Sequence, residues 1–120
     1  NMFNNVGIFR DEASLTAGLA KVRELRERYK GVKVRHTGKV YNMELIRAYE
    51  LRGMIDVAEA IAAGALARKE SRGSHARRDY PERDDANFLK HTLAYYTPEG
   101  VRLDYCPVTI TRYQPQARKY

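Results

Sequence analysis

The stretch that decides the fold is RKESRGSHARRDYPERDD, residues 68–85, in which 11 of 18 residues are charged. Six of them are Lys or Arg and five are Asp or Glu, which is too balanced for a phosphate-binding patch. Gly73 and Pro81 interrupt the run. Because both signs of charge stand so close together, we expect an ordered loop whose arginines pair with carboxylates, its own or those of a neighbouring surface. We interpret this charged ribbon, residues 68–85, as a docking element.

The first helix ahead of the charged ribbon is predicted from about Glu12 to Tyr29. Asp11 is a suitable N-cap, and Gly31 ends the helix. Apolar residues recur at helical spacing and so predict one buried face. That face is formed by Leu15, Leu19, Val22, Leu25 and Tyr29.

The second helix is predicted from an Asn42 cap to about Lys69, with Gly73 at the C′ position. Its front half shows an apolar face of Leu45, Ala48, Leu51, Ile55 and Ala58. Its back half, residues 57–67, carries only Glu59 as a charge and is rich in alanine. Such a helix allows close approach from several sides, so it serves either as the core of this domain or as a face for another one.

Two strands joined at Pro98-Glu99-Gly100 are predicted after the charged ribbon, over 88–97 and 101–105. The second alternates apolar and charged residues, which is typical of a strand with one buried face. Residues 108–111 could add a short edge strand, and the tail from Tyr113 to Tyr120 is expected to lie extended on a surface.

Composition limits the function classes. The 120-residue chain carries a net charge of +7, but the excess is spread over both ends, which argues against one nucleic-acid-binding stripe. The single cysteine, Cys106, allows no internal disulfide and favours a reducing compartment. No G-x-G occurs, and the histidines at 36, 75 and 91 give no metal spacing, so neither a dinucleotide site nor a metal site is predicted.

The charged ribbon also carries a resemblance to a known family. The segments 70–77 (ESRGSHAR) and 79–85 (DYPERDD) resemble the C-terminal helical domain of succinate dehydrogenase and fumarate reductase flavoprotein subunits. Similar segments occur at 5–10, 87–94, 105–108 and 118–120, so the resemblance covers nearly the whole chain. The flavin and capping domains that precede this region in the family are absent from the sequence.

The resemblance implies a fold and a division of the chain. It implies a mainly α domain, an antiparallel, spectrin-repeat-like helical bundle with a C-terminal β-hairpin and an extended tail. Residues 1–120 then form one domain, with a helical part over 1–72, a charged loop over 73–87, and a hairpin and tail over 88–120.

The resemblance also implies a function for the parent protein. The family interconverts succinate and fumarate by hydride transfer at FAD, which is bound by the absent domains, and no catalytic, FAD-binding or metal-binding residue is expected in this chain. The implied partners are the flavin and capping domains, an iron–sulfur subunit and membrane anchor subunits. The implied location is cytoplasmic and peripheral, on the inner face of the membrane.

A docking role on the flavin domain or a neighbouring subunit is expected for nine ribbon residues. They are Glu70, Arg72, Gly73, His75, Arg77, Asp79, Tyr80, Arg83 and Asp84. Three alternatives stay open: the C-terminal domain of L-aspartate oxidase and, from other classes, a basic nucleic-acid-binding module and a free-standing interaction domain with the same fold. Residues 105–108 and 118–120 favour the dehydrogenase and reductase branch, and no nucleic-acid partner is expected.

Overall fold

A computed structural model describes residues 2–116, and the predicted C-terminal segment 118–120 lies outside them. Two long helices and one hairpin account for most of the regular structure. The elements, in chain order, are α1 (Met2–Asn5), β1 (Phe9–Arg10), α2 (Glu12–Tyr29), α3 (Met43–Ala67), β2 (Ala76–Arg77), α4 (Asp85–Phe88), β3 (Lys90–Thr97) and β4 (Gly100–Pro107). The prediction of a mainly helical domain with an antiparallel hairpin is confirmed.

The caps of the two long helices are those that the sequence predicts. The Asp11 carboxylate accepts from the backbone N–H of Ser14 at 2.8 Å and starts α2. Asn42 Oδ1 accepts from the backbone N–H of Leu45 at 3.0 Å and starts α3. Each bond satisfies a donor that the first helical turn would otherwise leave unpaired.

The core lies between α2 and the back half of α3. Leu15, Leu19 and Val22 are buried on the predicted face of α2, and the alanines of α3 lie against them. Val6 closes the core from the side of α1. Because alanine side chains are small, the two helix axes can approach closely, and little large apolar surface is needed to fill the contact.

The hairpin packs its inner face on this core. β3 and β4 are antiparallel, with pairs from Lys90 and Pro107 to Thr97 and Gly100. Val101 and Leu103 are partly buried against the core, as their alternation predicts, whereas Tyr105 is exposed.

Four details differ from the sequence prediction. The front of α3 is not buried as predicted: Leu45 and Leu51 are both 42% exposed. Helix α2 ends near Ala48, whose carbonyl accepts from Tyr29 Oη, so it does not reach Leu45. Helix α3 ends at Ala67, not at Lys69. Residues 108–111 form no strand.

The fourth difference is a parallel pairing that the sequence does not predict. The short strand β1 pairs in parallel with β2, which joins the start of the chain to the charged ribbon. Within residues 2–116, no helix has the length and apolar character needed to cross a membrane.

Candidate functional site

The centre of the charged ribbon is the carboxylate of Glu70, which is fully buried. Nη1 of Arg68 donates to Oε1 at 2.5 Å, and Nε of Arg72 donates to the same oxygen at 2.9 Å. The backbone N–H of Asp84 donates to Oε2 at 2.8 Å. Burial raises the pKa of the Glu70 carboxyl, but the bonds from Arg72, Asp84 and Arg68 outweigh it and leave the pKa below its ordinary value. Glu70 therefore joins both ends of the ribbon as an ionised group.

The guanidinium of Arg77 closes the C-terminal end of α3. It is buried, and Nη1 donates to the carbonyls of Ala65, Leu66 and Arg68 at 3.2 to 3.3 Å. A helix end leaves such carbonyls without a partner, so a cation there also interacts favourably with the helix dipole. Nε and Nη2, on another edge of the guanidinium, each donate to the Asp79 carboxylate at 2.7 Å. These bonds lower the pKa of the Asp79 carboxyl to about 2.

Asp79 and Tyr80 extend this contact to neighbouring elements. Oδ2 of Asp79 accepts from the backbone N–H of Glu12 at 3.0 Å, at the first residue of α2. The Tyr80 ring centroid lies 4.9 Å from Cζ of Arg77 and 5.9 Å from Nζ of Lys69, within the range of cation–π attraction. The ribbon thus links the end of α3 to the start of α2.

His75 and Gly73 form a tight turn at the edge of the ribbon. The backbones of Arg72 and His75 exchange two hydrogen bonds, and Gly73 between them adopts a φ of +59°. Gly73 therefore serves this turn and, as a fifth difference from the sequence prediction, is not the C′ residue of α3. Nε2 of His75 lies 3.1 Å from the carbonyl of Arg68 and Nδ1 lies 2.6 Å from Nη1 of Arg10. These partners require a proton on Nε2 and a lone pair on Nδ1, so His75 is neutral.

Arg83 and Asp84 hold the last part of the ribbon. Asp84 caps α4 by accepting from the backbone N–H of Asn87 at 3.0 Å. Arg83 pairs with Asp85 at 2.8 Å and donates to the carbonyl of Gln116 at 2.6 Å, so it anchors the described part of the tail. Asp85 also accepts from Arg72 at 2.5 Å, which connects this pair to Glu70.

The structure places all nine predicted residues in or beside one hydrogen-bonded ribbon. The expectation that ribbon arginines pair with carboxylates of the loop is confirmed, while the docking role stays a prediction. Sequence reasoning missed Arg10 and Arg68, which face His75 and Glu70. Among residues 2–116, no group of three or more His, Cys, Asp or Glu could hold a metal ion. The hydrogen bonds and ion pairs of the ribbon hold it in one shape.

Comparisons with known proteins agree with the resemblance. A family model described as the fumarate reductase flavoprotein C-terminus matches residues 1–120. The fumarate reductase flavoprotein subunit of Haemophilus influenzae is 48% identical over 120 residues, covering 99% of this chain and 20% of the relative. The succinate dehydrogenase flavoprotein subunit of Rickettsia conorii is 41% identical and covers 92% and 19%.

A solved structure shows the same fold. The quinol fumarate reductase FrdA of E. coli matches with a TM-score of 0.92 and 43% identity, over 97% of this chain and 20% of that chain. The chain thus spans about a fifth of the length of the curated relatives that it matches. These matches favour the dehydrogenase and reductase branch over L-aspartate oxidase and over a nucleic-acid-binding module.

Proposed function

The chain belongs to the family of fumarate reductase flavoprotein C-terminal domains, and from this premise we propose that it is the docking domain of a flavoprotein that interconverts succinate and fumarate. The carrying observation is the family match over the whole chain, together with a charged ribbon whose ionic groups pair within the described residues. A buried ion network in which every charge is paired holds the ribbon in one conformation.

The redox step of this proposal takes place outside the chain. The residues present do not fit FAD, because no glycine-rich dinucleotide fingerprint occurs in the sequence. When bound by the flavin domain, FAD would accept or donate the hydride. The contribution of this chain is to hold the flavin and capping domains in place.

The ribbon supports this role through its position. The ribbon is bonded to α2, α3, β1 and the tail. A partner bound at the ribbon would therefore fix the position of the whole domain. The nine residues named from the sequence are proposed to brace the domain against the flavin domain or a neighbouring subunit. Glu70 and Arg77, which are buried, would do so by holding the shape of the ribbon, and the other seven could make contacts. We also propose that the helices of this domain form an antiparallel, spectrin-repeat-like bundle.

An iron–sulfur subunit and membrane anchor subunits are proposed as partners of the parent flavoprotein. The matched E. coli structure is of a quinol fumarate reductase, in which electrons taken from a quinol must be carried to the site that reduces fumarate. The complex would then place this domain at the inner face of the membrane, held there by its partners.

The gene provides the test. We expect the codons upstream of Asn1 to encode a strand, a G-x-G-x-x-G turn and a helix, since this segment binds the FAD pyrophosphate. A gene whose reading frame starts at this chain and that has no flavin domain beside it would contradict the proposal. An upstream flavin domain typical of L-aspartate oxidase would contradict succinate and fumarate as the substrates. The proposed docking role would still hold.

A further inference from the structure

Within residues 2–116, an apolar groove that no other element covers lies between α3 and β3. Its walls are formed by Val57, Ala60, Ile61 and Gly64 of α3 and by Thr92 and Ala94 of β3. The part next to the charged ribbon is an open groove of about 370 Å³. We call it the α3–β3 groove.

The rim of the groove is continuous with an exposed apolar face of α3. Ile46, Met54, Val57 and Ile61 recur at helical spacing, and each is at least 46% exposed. The nearby Glu59 adds no charge to this face, because its side chain is buried against α2. Exposed apolar side chains grouped in this way mark an interaction site, and one carboxylate, that of the exposed Glu50, lies among them.

Gly64 widens the groove, although the packing of this chain does not need a glycine there. A Cβ at this position would meet only Thr92 Cγ2, at 3.9 Å, which is an ordinary contact. The fold of the chain therefore does not require glycine at 64. A missing side chain at this point lets another backbone come close to the helix.

One end of the groove carries an uncompensated cation. Arg10, Arg68 and His75 line this end. Arg68 is paired with Glu70, whereas Arg10 bonds only to carbonyls and to His75 and has no carboxylate partner among residues 2–116. Burial, followed by the charge of Arg77, lowers the pKa of Arg10. A half-buried arginine in this position is stabilised when a carboxylate reaches it.

We propose that the α3–β3 groove is the surface on which the remainder of the flavoprotein docks, through an apolar segment that brings one carboxylate to Arg10. This inference rests on the proposed function. The matched relatives are about five times longer than this chain, so an occupant of sufficient size belongs to the same polypeptide in them. A second copy of this chain, which could bring its exposed Glu50 to Arg10, is the other occupant that the test distinguishes.

The test uses a chimera in which residues 1–120 replace the matching fifth of the Haemophilus influenzae flavoprotein. Val57→Cys places a thiol on the groove, and Val40→Cys places one on an exposed loop as the matched control. Maleimide labelling of each site is read by peptide mass, in the chimera and in the isolated chain. We expect labelling at 57 to slow about tenfold or more in the chimera and labelling at 40 to stay unchanged.

Equal labelling at 57 in the two proteins overturns the proposal. Labelling at 57 that slows in the isolated chain as its concentration rises also overturns it, because a second copy then occupies the groove. Labelling can be read whether or not the chimera reduces fumarate. A chimera without FAD or activity contradicts the proposed function, and an active chimera with an open groove contradicts this inference alone.

The proposed contact between Arg10 and a carboxylate of the docked segment is tested separately. Arg10→Gln in the Val57→Cys chimera should speed labelling at 57, and Arg10→Lys should speed it less. Arg35→Gln, on the exposed 32–41 connection, is the control and should leave the rate unchanged. Equal rates for the Gln variants at 10 and 35 overturn the assignment of a carboxylate to Arg10.

Discussion

Arg26 on α2 holds the carboxylate of Glu59, which is buried on α3 with 1% of its surface exposed. Nη1 of Arg26 lies 3.0 Å from Oε2 of Glu59, in an ion pair without the alignment of a hydrogen bond. Nε of Arg23 donates to the other oxygen at 3.2 Å from a side chain that is 59% exposed. The only charge in the apolar half of α3 is therefore neutralised by the neighbouring helix, and the pair fixes how α2 and α3 pack.

Arg26→Met should destabilise the domain far more than Arg23→Met. The first change leaves a buried carboxylate without its closest cation, at a cost of about 3–5 kcal/mol. The second removes the hydrogen bond that Glu59 receives from a solvated side chain, which water can replace, so we expect a smaller loss of about 1–2 kcal/mol. Urea unfolding of both variants measures the difference, and equal losses would show that Glu59 does not depend on Arg26.

Gly100→Ala should destabilise the hairpin, and Gly53→Ala should not. Gly100 has a φ of +133°, and an added Cβ would lie 3.0 Å from Oε1 of Glu59. The strained backbone alone should cost about 1–3 kcal/mol. Gly53 lies within α3 with nothing within 4 Å of an added Cβ, so alanine there should stabilise the helix by about 0.5–1 kcal/mol. Thermal unfolding measures both, and the same sign for the two changes would refute the argument.

Glu70→Gln should unfold the charged ribbon. The change keeps the size of the side chain but removes the buried charge that Arg68 and Arg72 share, and we expect a loss of about 3 kcal/mol or more in the free energy of unfolding. Glu82→Gln, an exposed change in the same ribbon, is the control and should stay within about 0.5 kcal/mol of the unaltered chain. A Glu70 variant as stable as the Glu82 variant would mean that the ion network does not hold the ribbon.

Stability should fall as the pH drops below 6.5 because of His75. Burial lowers the pKa of its imidazole, the bond to the Arg68 carbonyl opposes this, and the charges of Arg10, Arg77 and Arg68 lower the pKa further. The unfolded chain therefore binds the proton at a higher pH than the folded chain, so this stability is present above 6.5 and is lost as the pH falls through the folded pKa.

Unfolding free energies measured between pH 5 and 7 test this dependence. His75→Gln should flatten the slope because its side chain does not titrate, while His91→Gln, on the exposed face of β3, should keep it. An unchanged slope in the His75 variant would assign the dependence to other groups.

Elements that depend on local signals could be predicted from the sequence. The cap at Asp11, the apolar spacing from Leu15 to Val22 and the alternation from Val101 to Leu103 all act within a few residues along the chain. The charge pattern of the ribbon likewise predicts its internal pairing. Glu59 also stood out as the single charge in an apolar run, although its two arginine partners did not.

Features that depend on distant residues could not be predicted in this way. The parallel pairing of Phe9 with Ala76 joins segments far apart in sequence, and neither segment has a strand pattern of its own. Helix α3 ends at Ala67, where the Arg77 guanidinium donates hydrogen bonds to the last carbonyls of the helix. The side chain of the next residue, Arg68, donates to the carbonyls of Phe88 and Lys90 beside β3. The part of the site that faces outward, at Arg10, follows from the same long-range pairing.

Fumarate reduction by the chimera described above tests the central claim most directly. With residues 1–120 in place of its own matching fifth, the Haemophilus influenzae flavoprotein should retain FAD and reduce fumarate with an artificial electron donor. The isolated 120-residue chain should do neither. A chimera that folds but loses FAD and activity, or stoichiometric FAD on the isolated chain, would contradict the claim that this chain is the non-catalytic docking domain of such an enzyme.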